Sequence, residues 1–144
     1  LSKPLGRNAP VYWLRSENWG PAEISARGRL AEPLRASHAL LLGAGAVGSV
    51  LAELLVRGGI RRLSVMDGER VAGGNLVRHT LDLDAVGDEK AVALAARLNR
   101  TGPHARVDAI VASFPDVPAR DADTVNSANV ILDLLRDAIN PALT

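Results

Sequence analysis

Residues at two places in this chain have the types and spacing to handle a nucleotide. Gly43, Gly45 and Gly48, in the string Gly-Ala-Gly-Ala-Val-Gly, follow an apolar run and open a helical pattern, which is where a phosphate-binding turn belongs. Gly43 permits the tight turn, Gly45 lets backbone approach a phosphate, and Gly48 lets helix and strand pack closely. The exposed amides of such a turn then hold negative charge at a helix N-terminus. Asp67 closes the next apolar run, 24 residues after Gly43, where a carboxylate can accept both ribose hydroxyls. That spacing suits NAD and ATP equally. Asn75 and Arg78 discriminate: three apart, they share a face if the backbone is locally helical, and they offer an amide donor and a planar cation to one oxygen-rich group. Lys90, twelve residues beyond Arg78, can reach across a cleft and neutralise phosphate oxygens. Hydride transfer has no evident need for this extra Asn, Arg and Lys, so the set points to triphosphate chemistry. Asp133 and Asp137 follow a later apolar run, and either could hold Mg²⁺ or simply face water.

The elements that must position these groups read as α/β. Ala39–Leu42 and Leu63–Met66 are aliphatic strands, Arg106–Ala112 alternates as a third, and Val130–Asp133 is a fourth. Ala46–Val56 is a helix that packs tightly through Gly48 and Ala52 and stops at Gly58-Gly59. A second helix is expected from Gly87 through Lys90 to Asn99, with Val92, Ala95, Ala96 and Asn99 near one face. Arg29–Arg35 can form a short helix despite Pro33. The predicted fold is a Rossmann-like, mostly parallel sheet with helices on both faces. Residues 1–35 form an N-terminal arm or accessory element, and 36–144 a nucleotide-binding domain that is expected to be incomplete, part of a longer protein.

Composition narrows the function classes. Seventeen basic and sixteen acidic side chains leave a net charge of +1 with no basic stripe, which argues against a nucleic-acid partner. There is no cysteine, so disulfides, thiolate metal sites and a cysteine nucleophile within this stretch are excluded. His38, His79 and His104 lack metal-motif spacing. No run is long and apolar enough to span a bilayer, and the start lacks a signal-peptide pattern, so a cytoplasmic protein without a membrane partner is expected. Only four side chains are aromatic, and three of them, Tyr12, Trp13 and Trp19, sit in the arm.

The glycine string, then Val-Met-Asp67-Gly-Glu-Arg-Val-Ala-Gly-Gly-Asn75-Leu-Val-Arg78-His-Thr-Leu, then Val86-Gly-Asp-Glu-Lys90-Ala and Leu98-Asn99, together resemble the ThiF/MoeB family of ubiquitin-activating-enzyme-like adenylating proteins. The match is good over residues 38–99 and loose over 100–137. The resemblance implies ATP-dependent adenylation of the C-terminal glycine of a ubiquitin-like or sulfur-carrier protein, with Mg²⁺, usually in a homodimer. By motif, Gly43, Gly45 and Gly48 match the nucleotide loop, Asp67 the ribose-binding acid, and Asn75, Arg78 and Lys90 the phosphate and transition-state residues. Family members usually carry Asp-x-x-Asp-Asn after the fourth strand, whereas this chain has Asp133-Leu-Leu-Arg-Asp137. The metal ligand is thereby assigned to Asp137 in preference to Asp133. The family's N-terminal arginine that enters a partner's site has no clear counterpart among Arg15, Arg27 and Arg29.

Two competing readings share these residues. An NAD-dependent oxidoreductase uses the same first half of the fold, and a non-catalytic binding module could keep the fold without turnover.

Overall fold

A computed structural model gives the structure, and residues 12–134 are described. Four strands, β1 (His38–Leu42), β2 (Arg62–Met66), β3 (Arg106–Ile110) and β4 (Val130–Asp133), form one parallel sheet in the order β3-β2-β1-β4. The helices are α1 (Pro21–Ile24), α2 (Glu32–Ala36), α3 (Ala46–Arg57), α4 (Lys90–Thr101) and α5 (Ala122–Asn126). Parallel neighbours need crossovers, and α3 and α4 supply two of them. The mostly parallel sheet flanked by helices is the architecture that the aliphatic runs predict.

All five β1 side chains are buried, because the strand is central and covered on both faces. Ala39 and Leu41 join Leu63, Val65 and Val107 on one face, packed by Ala52, Leu55 and Val56 of α3 and by Ala91, Leu94, Ala95 and Leu98 of α4. Leu40, Leu42, Met66 and Ile110 point to the other face, where Val117, Val125 and Ala128 meet them. The α4 face differs from the expected one, since Val92 is 44% exposed while Ala91, Leu94 and Leu98 are fully buried. A helix so rich in Ala fits several registers, and the two leucines decide between them. Asn99 has a different task. Its Nδ2 donates to the Val107 carbonyl and its Oδ1 accepts from the Val107 amide, so a side-chain amide pairs the free edge of β3.

Strand β3 ends at Ile110, two residues earlier than the alternation suggests. Pro33 falls in the first turn of α2, where its missing N–H costs nothing, which is why the short helix survives it. No aromatic of the arm folds back on the core, for Tyr12, Trp13 and Trp19 are all exposed.

Strand order reverses after β3, because β4 adds beside β1 rather than beside β3. The connection leaving β1 crosses to β2, while the chain from β3 returns to the other side of β1 as β4, so the switch point lies at the carboxyl ends of β1 and β4 and leaves a crevice there. Gly43 lies at its centre, with φ +94° and its amide bonded to the Met66 carbonyl at 2.9 Å. That backbone conformation is what requires glycine there.

Candidate functional site

The glycine turn is built by contact at one position and by open space at another. A methyl group on Gly48 would stand 2.0 Å from the Gly43 carbonyl oxygen, so the first turn of α3 can seat against β1 only with hydrogen there. At Gly45 a methyl group would meet nothing within 4 Å. The chain's own atoms thus give no reason for glycine at 45, whereas an approaching ligand does. Gly45 is also the N-cap of α3 and has no side chain to cap it, so the first-turn amides keep their free donors.

Asp67, at the carboxyl end of β2, is positioned by the Ile110 carbonyl, which accepts its amide at 3.1 Å. Its Oδ2 accepts the Ala44 amide at 2.7 Å and its Oδ1 accepts the Glu69 amide at 2.8 Å. The carboxylate therefore fixes the turn, and each oxygen retains one lone pair for a further donor.

The polar segment after Asp67 folds back over the turn because its ends are zipped together. The Lys90 amide donates to the Glu69 carbonyl, the Val71 amide to the Asp88 carbonyl, and the Gly87 amide to the Val71 carbonyl. Val71, Leu81 and Ala85 make a small core beneath it. Within this fold Gly73–Asn75 forms a 3-10 turn, and Asn75 Oδ1 accepts the Ala72 amide at 3.0 Å. The fixed oxygen sets the orientation of the side-chain amide, whose NH₂ group has no partner among the described residues.

Asn75, Arg78, His79 and Lys90 line one small cleft with Gly45 and Ala46, of about 50 Å³. Arg78 is exposed; its amide donates to the Asn75 carbonyl at 3.0 Å, while its guanidinium has no hydrogen bond or ion pair among the described residues. Lys90 opens α4 and is only 5% exposed, paired with the Glu69 carboxylate, itself solvent-exposed. A buried ammonium needs a counter-charge, and an outward-facing carboxylate is one that an incoming anion can replace. The cleft thus presents free amides, an amide side chain and two cations to a single point. This chemistry fits a polyanion.

Sequence reasoning did not assign His79 or Glu69 to this site. His79 Nε2 donates to the Ala44 carbonyl at 2.5 Å, and its Nδ1 accepts the Leu81 amide at 3.2 Å, which fixes the neutral tautomer. Burial holds the imidazole below its ordinary pKa, and the Lys90 ammonium acts in the same direction. A neutral, doubly bonded ring here is a strut that ties the folded-back segment to the turn. Its place beside Arg78 was the available signal, but only the tertiary fold directs it to Ala44.

Asp133 ends β4 opposite Leu42, and the next amide, of Leu134, donates to the Leu42 carbonyl at 2.9 Å. This sets an exposed carboxylate on the far side of the crevice from Asp67. Asp137 lies outside the described residues. Among the described residues no three His, Asp or Glu side chains are grouped closely enough to hold a metal by themselves.

The chain is similar to known proteins over most of its length. The chain is 34% identical over 135 residues to the ATP-dependent ubiquitin transferase-like protein Cap2 of Enterobacter hormaechei subsp. hoffmannii, an alignment covering 94% of this chain and 22% of that protein. It is 31% identical to the molybdopterin-synthase adenylyltransferase of Escherichia coli, over 71% of this chain and 41% of that one. The crystal structure of the E. coli tRNA N6-threonylcarbamoyladenosine dehydratase TcdA in complex with ATP superposes with a TM-score of 0.61 at 27% identity, covering 72% of this chain and 43% of that chain. The chain thus spans less than half the length of each of these relatives. The model of the ThiF family matches residues 16–140, and the chain belongs to the ThiF family.

Proposed function

We propose that the protein containing this chain uses ATP to adenylate the C-terminal carboxylate of a ubiquitin-like or sulfur-carrier protein. One observation carries the reading: the uncapped first turn of α3, Asn75, the unpaired Arg78 and the buried Lys90 converge on one cleft. Relatives named as adenylyltransferases, and a similar fold crystallised with ATP, support it.

In this reading the acceptor carboxylate attacks the α-phosphorus of ATP, a carboxylate–phosphorus bond forms, and the bond to the β-phosphate oxygen breaks to release pyrophosphate. Nucleophile and leaving group are both ionised at neutral pH, so the chain has little proton transfer to perform. Its contribution is positioning and charge neutralisation. Asp67 accepts the ribose hydroxyls through its remaining lone pairs. Gly45 gives the phosphates access to the α3 amides. Asn75 donates to a phosphate oxygen, while Arg78 and Lys90 neutralise charge that grows as pyrophosphate departs, with Glu69 displaced from Lys90.

Mg²⁺ is commonly held by one or two protein carboxylates together with substrate phosphates; Asp137 is the preferred candidate, and Asp133 across the crevice from Asp67 is the second. When bound, the ion would further neutralise phosphate charge. A homodimer is part of the proposal. Tyr12, Trp13 and Trp19, together with Val47, Val50 and Leu54 at helical spacing along α3, are large apolar groups left exposed by this chain.

Calorimetric titration of the full-length protein tests nucleotide choice, and ATP with Mg²⁺ should bind more tightly than NAD. Tighter binding of NAD would reject the proposal in favour of an oxidoreductase.

A further inference from the structure

The opposite, amino-terminal edge of the sheet holds a second cavity, of about 230 Å³, with no part in the chemistry above. Helix α3 separates the two, about 18 Å long for its twelve residues. The cavity forms where the turns entering β2 and β3 meet under α1. Ile24, Val56, Ile60 and Ala105 give it apolar walls. Arg35 and Arg61 give its rim positive charge, and His104 lies beside them.

Arg35 is the informative residue. Its side chain is 4% exposed, yet its charge is poorly answered. Nη1 pairs with Glu32 at 2.6 Å, Nε reaches the Gly59 carbonyl only at 3.4 Å, and Nη2 has no partner among the described residues. Glu32 is itself shared, since Arg61 Nη2 contacts its other oxygen at 2.5 Å. Two guanidinium groups therefore divide one carboxylate, leaving an excess positive charge beside an apolar hollow. On the rim, His104 Nε2 donates to the Trp19 carbonyl at 2.6 Å, which holds the approach to α1 over the opening.

We propose that this cavity binds a small monocarboxylate with an apolar body, its carboxylate taken by Arg35 Nη2 and Arg61 and its hydrocarbon lying on Ile24, Val56 and Ile60. The planar guanidinium suits a carboxylate, and the apolar walls favour a ligand with a hydrocarbon part over a strongly hydrated inorganic anion. The proposal is independent of the adenylation reading.

The test is calorimetric titration of the full-length protein with butanoate, pentanoate and hexanoate, and with hexylamine and hexanol as controls, in the absence and presence of saturating ATP. The carboxylates should bind saturably, each added methylene tightening binding about fourfold, the equivalent of about 0.8 kcal/mol. ATP should not compete, and the amine and alcohol should bind far more weakly. Arg35→Lys should lose at least tenfold. Because that buried substitution can impair folding, Arg61→Glu is the companion, at a side chain 57% exposed; it should melt like the wild type and also lose at least tenfold. The proposal is overturned by absence of saturable hexanoate binding or by equal binding of hexylamine. Competition by ATP, which would put hexanoate in the nucleotide cleft, overturns it too, as does unchanged affinity in a folded Arg61→Glu protein.

Discussion

Replacing Gly45 with Ala and, separately, Gly48 with Ala should damage the protein in opposite ways. At Gly48 the new methyl carbon would lie 2.0 Å from the Gly43 carbonyl oxygen and 3.0 Å from its carbon, against about 3.5 Å for an ordinary contact. The obstacle is backbone, pinned by the Gly43 amide bond to Met66 and by a positive φ, so it cannot swing aside. Overpacking of this kind costs about 1–3 kcal/mol or more, which lowers the melting temperature by several degrees in a protein of this size. At Gly45 the backbone, with φ −77° and ψ −155°, is accessible to alanine, and nothing lies within 4 Å. The loss of N-cap preference, about 0.5–1 kcal/mol, is largely offset by the reduced freedom of the unfolded chain. Gly45→Ala should thus melt within a degree or two of the wild type while a methyl group occupies the path of the phosphates, and ATP affinity should fall at least tenfold, about 1.4 kcal/mol. Thermal denaturation and calorimetric ATP titration on the two full-length variants separate the outcomes. Undiminished ATP binding by Gly45→Ala, or wild-type melting of Gly48→Ala, would refute the division of labour between the two glycines.

Two further predictions concern stability and assembly. His38 is buried with Nδ1–H donated to Ser127 Oγ and Nε2 accepting from Ser64, and burial, followed by the Arg62 charge, holds its pKa below the ordinary 6.5. The unfolded chain then binds a proton more readily than the folded one, so stability is complete above about pH 6.5 and declines as pH falls below it, by at most about 1.4 kcal/mol per pH unit for this group. Urea titrations between pH 7.5 and 5.5 should show that slope shallower in His38→Gln, and an equal slope would exclude His38 as its source. Light scattering of the full-length protein at micromolar concentration should give a dimer mass, and a monomer would remove the homodimer from the proposal.

How far the sequence led depends on how local each determinant is. The strands could be read because parallel strands buried on both faces are uninterrupted aliphatic runs, and the turn could be read because Gly43 and Gly48 answer to atoms only a few residues away. The α4 face could not, since Ala91, Ala95 and Ala96 look alike until Leu94 and Leu98 meet the sheet. Nor did the chain around Pro21 announce α1, a four-residue helix held in place by long-range contacts such as that of His104 with Trp19. The cleft was half legible. Asn75, Arg78 and Lys90 have the residue types that phosphates need, but Glu69 and His79 acquire their positions only when residues 68–89 fold back, an outcome set by backbone bonds between segments about twenty residues apart.

Exchange of labelled pyrophosphate into ATP by the full-length protein, with its acceptor protein present, tests the central claim most directly. The account expects exchange that requires the acceptor's free C-terminal carboxylate and that falls on the order of 10²-fold or more in Arg78→Ala and in Lys90→Ala, with ATP affinity changed far less. Absence of exchange in the wild-type protein, with ATP bound, would contradict adenylation and leave a binding module. Near-normal exchange in both variants would show that the reacting phosphates do not lie in this cleft.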